Sequence, residues 1–134
     1  RHTGIGCDQV LILRQPSDGQ HLAAFEIWNS DGSSAQQCGN GVRCLGHCLD
    51  MRGETPDGQF TLSGPAGAVK IECLDNAMVR VDMGTPEFDP EKVPVELEPV
   101  DGWYPLDIQQ QHFRLGAVSM GNPHAVLQVA LRDF

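Results

Sequence analysis

Residues 37–53 read Gln37-Cys38-Gly39-Asn40-Gly41-Val42-Arg43-Cys44-Leu45-Gly46-His47-Cys48-Leu49-Asp50-Met51-Arg52-Gly53. Val42, Leu45 and Leu49, with Cys44, Cys48 and Met51, recur at helical spacing, and Gly53 is a natural helix stop. The spacing predicts one helix that opens just after Cys38 and closes at Gly53. Only Arg43, His47, Asp50 and Arg52 on it are charged or titratable. Such a helix is apolar over much of its circumference and is expected to be largely surrounded by protein, with Cys44 and Cys48 serving packing.

Cys38 stands at the opening of that helix. The first backbone N–H groups of a helix have no partner inside it and can bind an anion. The helix dipole adds roughly half a positive charge there. Both effects favour thiolate over thiol. The glycines beside Cys38 let a substrate carboxylate approach the same amides closely. One turn can therefore offer a base and a carboxylate cradle together. The competing reading is a small buried residue ahead of a helix.

Upstream, Gln9–Arg14 is a short apolar strand run, and Gln15–Gln20 with Pro16 and Gly19 is a turn. His21–Asn29 alternates Phe25 and Ile27 against Glu26 and Trp28, until Asn29-Ser30-Asp31-Gly32 breaks the strand. Downstream the period changes to two. Gln59–Ser63, Ala68–Leu74 and Met78–Met83 are expected to form an antiparallel meander. Gly84–Asp107 carries five prolines and many acids, which predicts irregular surface chain with short edge strands at most. Phe113–Ser119 and Ala125–Val129 are two further strands, joined by Met120-Gly121-Asn122-Pro123-His124. This order predicts an α+β fold: a curled, mostly antiparallel sheet wrapped around one central helix.

The chain has 134 residues, which suits one domain with one core. Its net charge is −9, and ten of its eighteen acids fall between Glu72 and Asp107. That balance argues against nucleic acid as a partner, because phosphate binding needs a basic face. No stretch approaches the roughly 20 apolar residues of a membrane span, and no signal peptide opens the sequence. The abrupt start at Arg1-His2-Thr3-Gly4 reads as a piece cut from a longer protein. Five cysteines are too few for a secreted disulfide scaffold and point to reduced thiols in the cytoplasm.

Other chemistries compete for these residues. Cys38, Cys44, Cys48 and His47 offer zinc donors, as a non-catalytic zinc-binding module would, but their spacing is wrong for a zinc knuckle. The sequence has neither a Cys-x-x-Cys redox pair nor a Gly-x-Gly-x-x-Gly or Walker motif. A Cys38 nucleophile partnered by His124 would make a cysteine hydrolase, although nothing identifies the third, orienting group. Taken singly, Gln9 at a strand head, Asn29 and Asn122 in turns, and His124 beside a proline all have ordinary structural explanations.

In order along the chain stand Arg1-His2-Thr3-Gly4-Ile5-Gly6-x-Asp8-Gln9, Ile27-x-Asn29-x-Asp31-Gly32-Ser33, Gln37-Cys38-Gly39-Asn40-Gly41-x-Arg43-Cys44, Val81-x-Met83-Gly84 and Val118-Ser119-Met120-Gly121-Asn122-Pro123-His124. Together they resemble the N-terminal half of the diaminopimelate epimerase family. The resemblance implies a cofactor-independent amino-acid epimerase that interconverts LL- and meso-2,6-diaminopimelate, for lysine and peptidoglycan precursors. It also implies two similar α+β domains, each bringing one cysteine at a helix N-terminus, in a homodimeric protein. One thiolate removes the α-proton and the other cysteine delivers a proton from the opposite face.

Carried over by position, Cys38 is one acid/base. The Gly39 and Asn40 amides hold the reacting carboxylate, and Gln9, Asn29 and Asn122 bind substrate polar groups. His124 tunes or orients a cysteine, and no metal is implied. The family's opening Gly-x-Gly-Asn-Asp-Phe motif does not precede Arg1, and its second Cys-Gly motif and Glu-Arg clamp are not in this sequence. Residues 1–134 are therefore expected to be the N-terminal domain without its first strands and without the C-terminal domain, inactive alone. A proline or hydroxyproline racemase of the same fold is the alternative within enzymes; the polar groups of Gln9, Asn29 and Asn122 suit a longer, doubly zwitterionic substrate better.

Overall fold

The computed structural model describes Gly4 and residues 6–129; Arg1, His2, Thr3 and Ile5 of the opening motif lie outside the described residues. Alternation makes the first two strands. β1 (Gln9–Arg14) and β2 (Ala23–Asn29) pair antiparallel with Gln9 opposite Asn29. Ala23, Phe25 and Ile27 are buried, while Arg14 and Glu26 form an ion pair at 2.6 Å on the exposed face. β3 (Gln59–Gly64) joins β2 in parallel, Ala23 beside Leu62. A parallel pair needs a crossover connection, and α1 (Gly39–Met51) lies in it. β4 (Gly67–Leu74) and β5 (Met78–Val81) complete the expected antiparallel meander, giving the order β1-β2-β3-β4-β5.

α1 lays Val42, Leu45 and Leu49 on the sheet, in one core with Phe25, Ile27, Leu62, Val69 and Ile71. Gly46 lets it lie close, since a Cβ there would stand 3.0 Å from both Ile71 and Val79. Its end is a Schellman motif: Gly53 takes φ +71°, with Gly53 N–H donating to Asp50 O at 2.9 Å and Glu54 N–H to Leu49 O at 3.1 Å. The expectation of a helix surrounded by protein is corrected. Cys44 is exposed and Met51 is 70 % exposed, so Cys44 serves no core packing. One sheet face covers one helix stripe, and the apolar residues beyond that stripe remain in solvent.

Where the sequence leads to one core, the described residues cluster into two compact units, Arg1–Met83 and Gly84–Phe134. The second unit holds β6 (Tyr104–Ile108), β7 (Gln111–Ser119) and β8 (Pro123–Leu127), antiparallel in the order β6-β7-β8. Pro105 sits in the edge strand β6, as proline requires. Before β6 the chain is irregular, as its prolines predict, apart from isolated bridges from Glu87 to Ser119 and Val100 to Trp103. Pro123 and His124, read from sequence as connection, are the first two residues of β8, paired with Ser119 and Val118. Among the described residues no helix is long and apolar enough to cross a membrane.

Candidate active site

Cys38 is the N-cap of α1, with extended backbone at φ −150° and ψ 92°. Its carbonyl accepts the first helical bond, from Val42 N–H at 2.9 Å. Its sulfur accepts a hydrogen bond from Gly41 N–H at 3.3 Å. The thiol thus occupies the place that a Ser or Asp oxygen takes in an ordinary cap. The remaining first-turn amides, Gly39 and Asn40, have no hydrogen-bond partner among the described residues. Cys38 is half-buried and packs against the core.

Steric detail explains the glycines more sharply than spacing does. A Cβ at Gly41 would stand 2.7 Å from Leu11 Cδ2 and 3.0 Å from Cys38 Sγ. A Cβ at Gly39 would meet Met83 Sδ at 3.2 Å. The helix start therefore packs against Leu11 and Met83, so closely at Gly41 that a side chain there would force Leu11 to move. Nothing local in the sequence singles out Leu11, because its partner lies thirty positions away in the chain.

Gln9 and Asn29 meet directly. Gln9 Nε2 donates to Asn29 Oδ1 at 3.0 Å across the β1–β2 ladder. Alternation places them on the face that carries Leu11 and Ile27, and Leu11 lies against Gly41 of α1. Asn29 Nδ2 donates to Ser33 Oγ at 3.0 Å, and Ser33 Oγ–H donates to Asp31 Oδ1 at 2.6 Å. Hydrogen bonds from the Ser33 hydroxyl and then its backbone N–H hold the Asp31 carboxyl below its usual range. Ser33 received no role from sequence reasoning; the Asn-x-Asp-x-Ser spacing of a side-chain-closed turn is the signal that finds it.

In the second unit, Asn122 O accepts from Met120 N–H at 3.1 Å and faces His124 Nδ1 at 2.9 Å. A carbonyl only accepts, so Nδ1 carries the proton and Nε2 of the neutral ring is left as an acceptor. His124 is exposed and Asn122 half-buried. The first unit thus brings together Gln9 with Asn29, and Cys38 with Gly39 and Asn40; the second brings together Asn122 and His124.

The other cysteines have different surroundings. Cys73 Sγ–H donates to Gly46 O at 3.6 Å, and burial, then the Asp50 carboxylate, push its pKa up. Cys7 and Cys44 are exposed. Among the described residues no three His, Cys, Asp or Glu side chains converge as a metal site would require. Gln37 Oε1 is buried without a hydrogen-bond donor among the described residues.

The diaminopimelate epimerase family model matches residues 1–88, which is more than half of the chain and includes the helix start with its cysteine. The chain belongs to the diaminopimelate epimerase family. A diaminopimelate epimerase of Xylella fastidiosa (strain 9a5c) is 46 % identical over 99 % of this chain and 47 % of its own length. That of Xanthomonas campestris pv. campestris is 43 % identical over the same shares. The chain spans about half the length of these curated relatives.

Two solved structures share the fold. A probable proline racemase of Agrobacterium radiobacter K84 superposes with TM-score 0.65 at 23 % identity, covering 90 % of this chain and 35 % of that one. A hydroxyproline epimerase of Agrobacterium vitis superposes with TM-score 0.63 at 22 % identity, covering 90 % and 34 %. The expected α+β class, a curled sheet with a single helix, is borne out by the fold and by these neighbours.

Proposed function

We propose that the protein carrying this chain is a cofactor-independent epimerase that interconverts LL- and meso-2,6-diaminopimelate, with Cys38 as one of two acid/base thiols. The observation that carries the proposal is the Cys38 sulfur, hydrogen-bonded to Gly41 N–H beside the partnerless amides of Gly39 and Asn40. Family membership supplies the substrate.

An α-proton beside a carboxylate is weakly acidic, so the carbanion must be stabilised where its charge develops, on the carboxylate oxygens. Preorganised N–H dipoles do this without reorganising during the reaction. In this reading the Gly39 and Asn40 amides receive the reacting carboxylate, next to the sulfur that takes or gives the proton. Gln9, Asn29 and Asn122 hold the remaining polar groups of the substrate, and His124 tunes or orients a cysteine. Epimerisation needs a proton donor and an acceptor on opposite faces of one carbon, so the second cysteine comes from a further domain. The chain is then the first part of a two-domain cytoplasmic homodimer and is inactive alone.

The test is α-proton exchange in D2O, followed by NMR, on the full-length protein with LL-diaminopimelate and with hydroxyproline, without added cofactor. Exchange of diaminopimelate alone, reduced by about 10²–10⁴-fold or more in Cys38→Ala, is the expected result. Exchange of hydroxyproline instead would keep the mechanism and change the substrate. Turnover of diaminopimelate by residues 1–134 alone would refute the two-domain part of the reading.

A further inference from the structure

The chain of hydrogen bonds from Asp31 to Gln9 has a direction imposed by one charge. An ionised carboxylate can only accept, so the Ser33 hydroxyl proton must point at Asp31 Oδ1 (2.6 Å). The hydroxyl then meets Asn29 with a lone pair, which obliges Asn29 to present its NH2 (3.0 Å). The Asn29 carbonyl oxygen is thereby turned toward Gln9 and accepts from Gln9 Nε2 (3.0 Å). Gln9 Oε1 remains without a hydrogen bond among the described residues.

The turn itself does not need the serine hydroxyl. Asn29 N–H donates to Ser33 O at 2.8 Å, Gly32 N–H to Asn29 O at 3.0 Å, and Ser33 N–H to Asp31 Oδ1 at 2.9 Å. All three bonds survive loss of the Ser33 hydroxyl. What the hydroxyl adds is a choice between the two orientations of the Asn29 amide, which have the same shape and opposite polarity.

We propose that Ser33 and Asp31 are positioning residues that lock the Asn29 and Gln9 amides in one polarity, leaving Gln9 Oε1 as an acceptor for an N–H group of the substrate. This rests on the epimerase reading above, which places Gln9 and Asn29 at the substrate. Without the lock both amides can flip, and a fraction of the protein presents a donor where an acceptor is needed. The cost falls on substrate binding and not on the proton transfer at Cys38.

The experiment is steady-state kinetics of the full-length protein with LL-diaminopimelate. Ser33→Ala should raise KM about tenfold with kcat within about twofold of wild type, and Ser33→Thr, which keeps the hydroxyl, should restore KM. If the lock acts through Gln9, the double variant Gln9→Ala/Ser33→Ala should bind no worse than Gln9→Ala alone, whereas independent roles would multiply. Multiplying effects, or a KM for Ser33→Ala within about twofold of wild type, overturn the proposal. Should Ser33→Ala not fold, Ser33→Cys keeps the side-chain volume with a much weaker donor and acceptor; an unchanged KM there overturns it equally. Wild-type exchange of the diaminopimelate α-proton separates the two failures. Its absence sinks the epimerase reading and this inference with it, while an active wild type with an indifferent Ser33→Ala sinks only the inference.

Discussion

In the first unit the apolar face of a five-stranded sheet is covered by α1, whereas in the second the described residues supply three strands and no helix. The consequence shows in exposure. Ile27, Leu62 and Val42 are at most 2 % exposed; in the second unit Val93 is buried as deeply, but Phe88 is 65 %, Val100 61 % and Val126 54 % exposed. Phe88, Trp103, Tyr104, Val118 and Val126 line an apolar hollow of about 480 Å3 in the second unit. Both units contain antiparallel strands, yet among the described residues only the first unit brings an amphipathic helix to its sheet. The helix that completes the core also carries Cys38 at its first turn, so in the first unit packing and chemistry share one element.

The largest expected difference is in core truncation. Leu62→Ala removes a fully buried side chain at the middle of the first core and should cost about 2–5 kcal/mol in urea unfolding of the chain. Val126→Ala should change stability by about 0.5 kcal/mol or less, because its side chain is more than half in solvent. Equal losses would mean that the β8 face is covered in solution, and the contrast between the units would collapse.

Smaller, but sharper, is a pair of glycine substitutions. A Cβ at Gly64 would lie 2.4 Å from Phe25 Cζ, a ring that is 4 % exposed and cannot swing clear. Gly64→Ala should therefore cost about 1–3 kcal/mol by overpacking. Gly116→Ala in β7 meets nothing nearer than Trp103 Cζ3 at 3.9 Å and should be tolerated. Thermal melts of the two variants read the difference in packing directly.

Thiol alkylation grades the first unit from surface to core. Exposed Cys44 should react well before Cys73, because burial and Asp50 hold Cys73 as a thiol that donates to Gly46 O. Mass spectrometry of peptides after timed iodoacetamide treatment gives the order, and early modification of Cys73 would show that α1 opens readily.

The smallest effect concerns acid. Asp31 has a depressed pKa, so its contribution to the 29–33 turn is present above the ordinary carboxylate range and is lost as pH falls through the depressed value. The Ser33 amide resonance should accordingly hold its position through the range where ordinary carboxylates titrate and move only below it. Movement at higher pH would show that the Ser33–Asp31 bonds are not formed in solution.

Much of the local structure was legible before folding was considered. β1 begins and ends with the apolar run Gln9–Arg14, and Gly53 closes α1 as expected. The five ordered motifs were enough to suggest the family. Boundaries were less legible where proline intervened: Pro123 reads as turn, yet it opens β8, since the first residue of a strand can lack a donor. The candidate site was half legible. Cys38, Gln9 and Asn29 stand out by type and position, but Leu11, Met83 and Ser33 act through partners that no local pattern names.

The sequence by itself determined the period of each segment, the helix start at Cys38 and the family, because these depend on neighbours a few residues apart. Only the tertiary structure decided which stripe of α1 is buried, since Cys44 and Met51 are as apolar as Val42 and differ only in facing no sheet. It alone divided the chain at Met83 and Gly84, because the core that α1 closes on the five-stranded sheet draws its buried residues from Ala23 to Ile71. It also set the polarity of the Asn29 amide, for hydrogen-bond direction is fixed by a charge at the end of a chain of contacts and not by the residue's own neighbours.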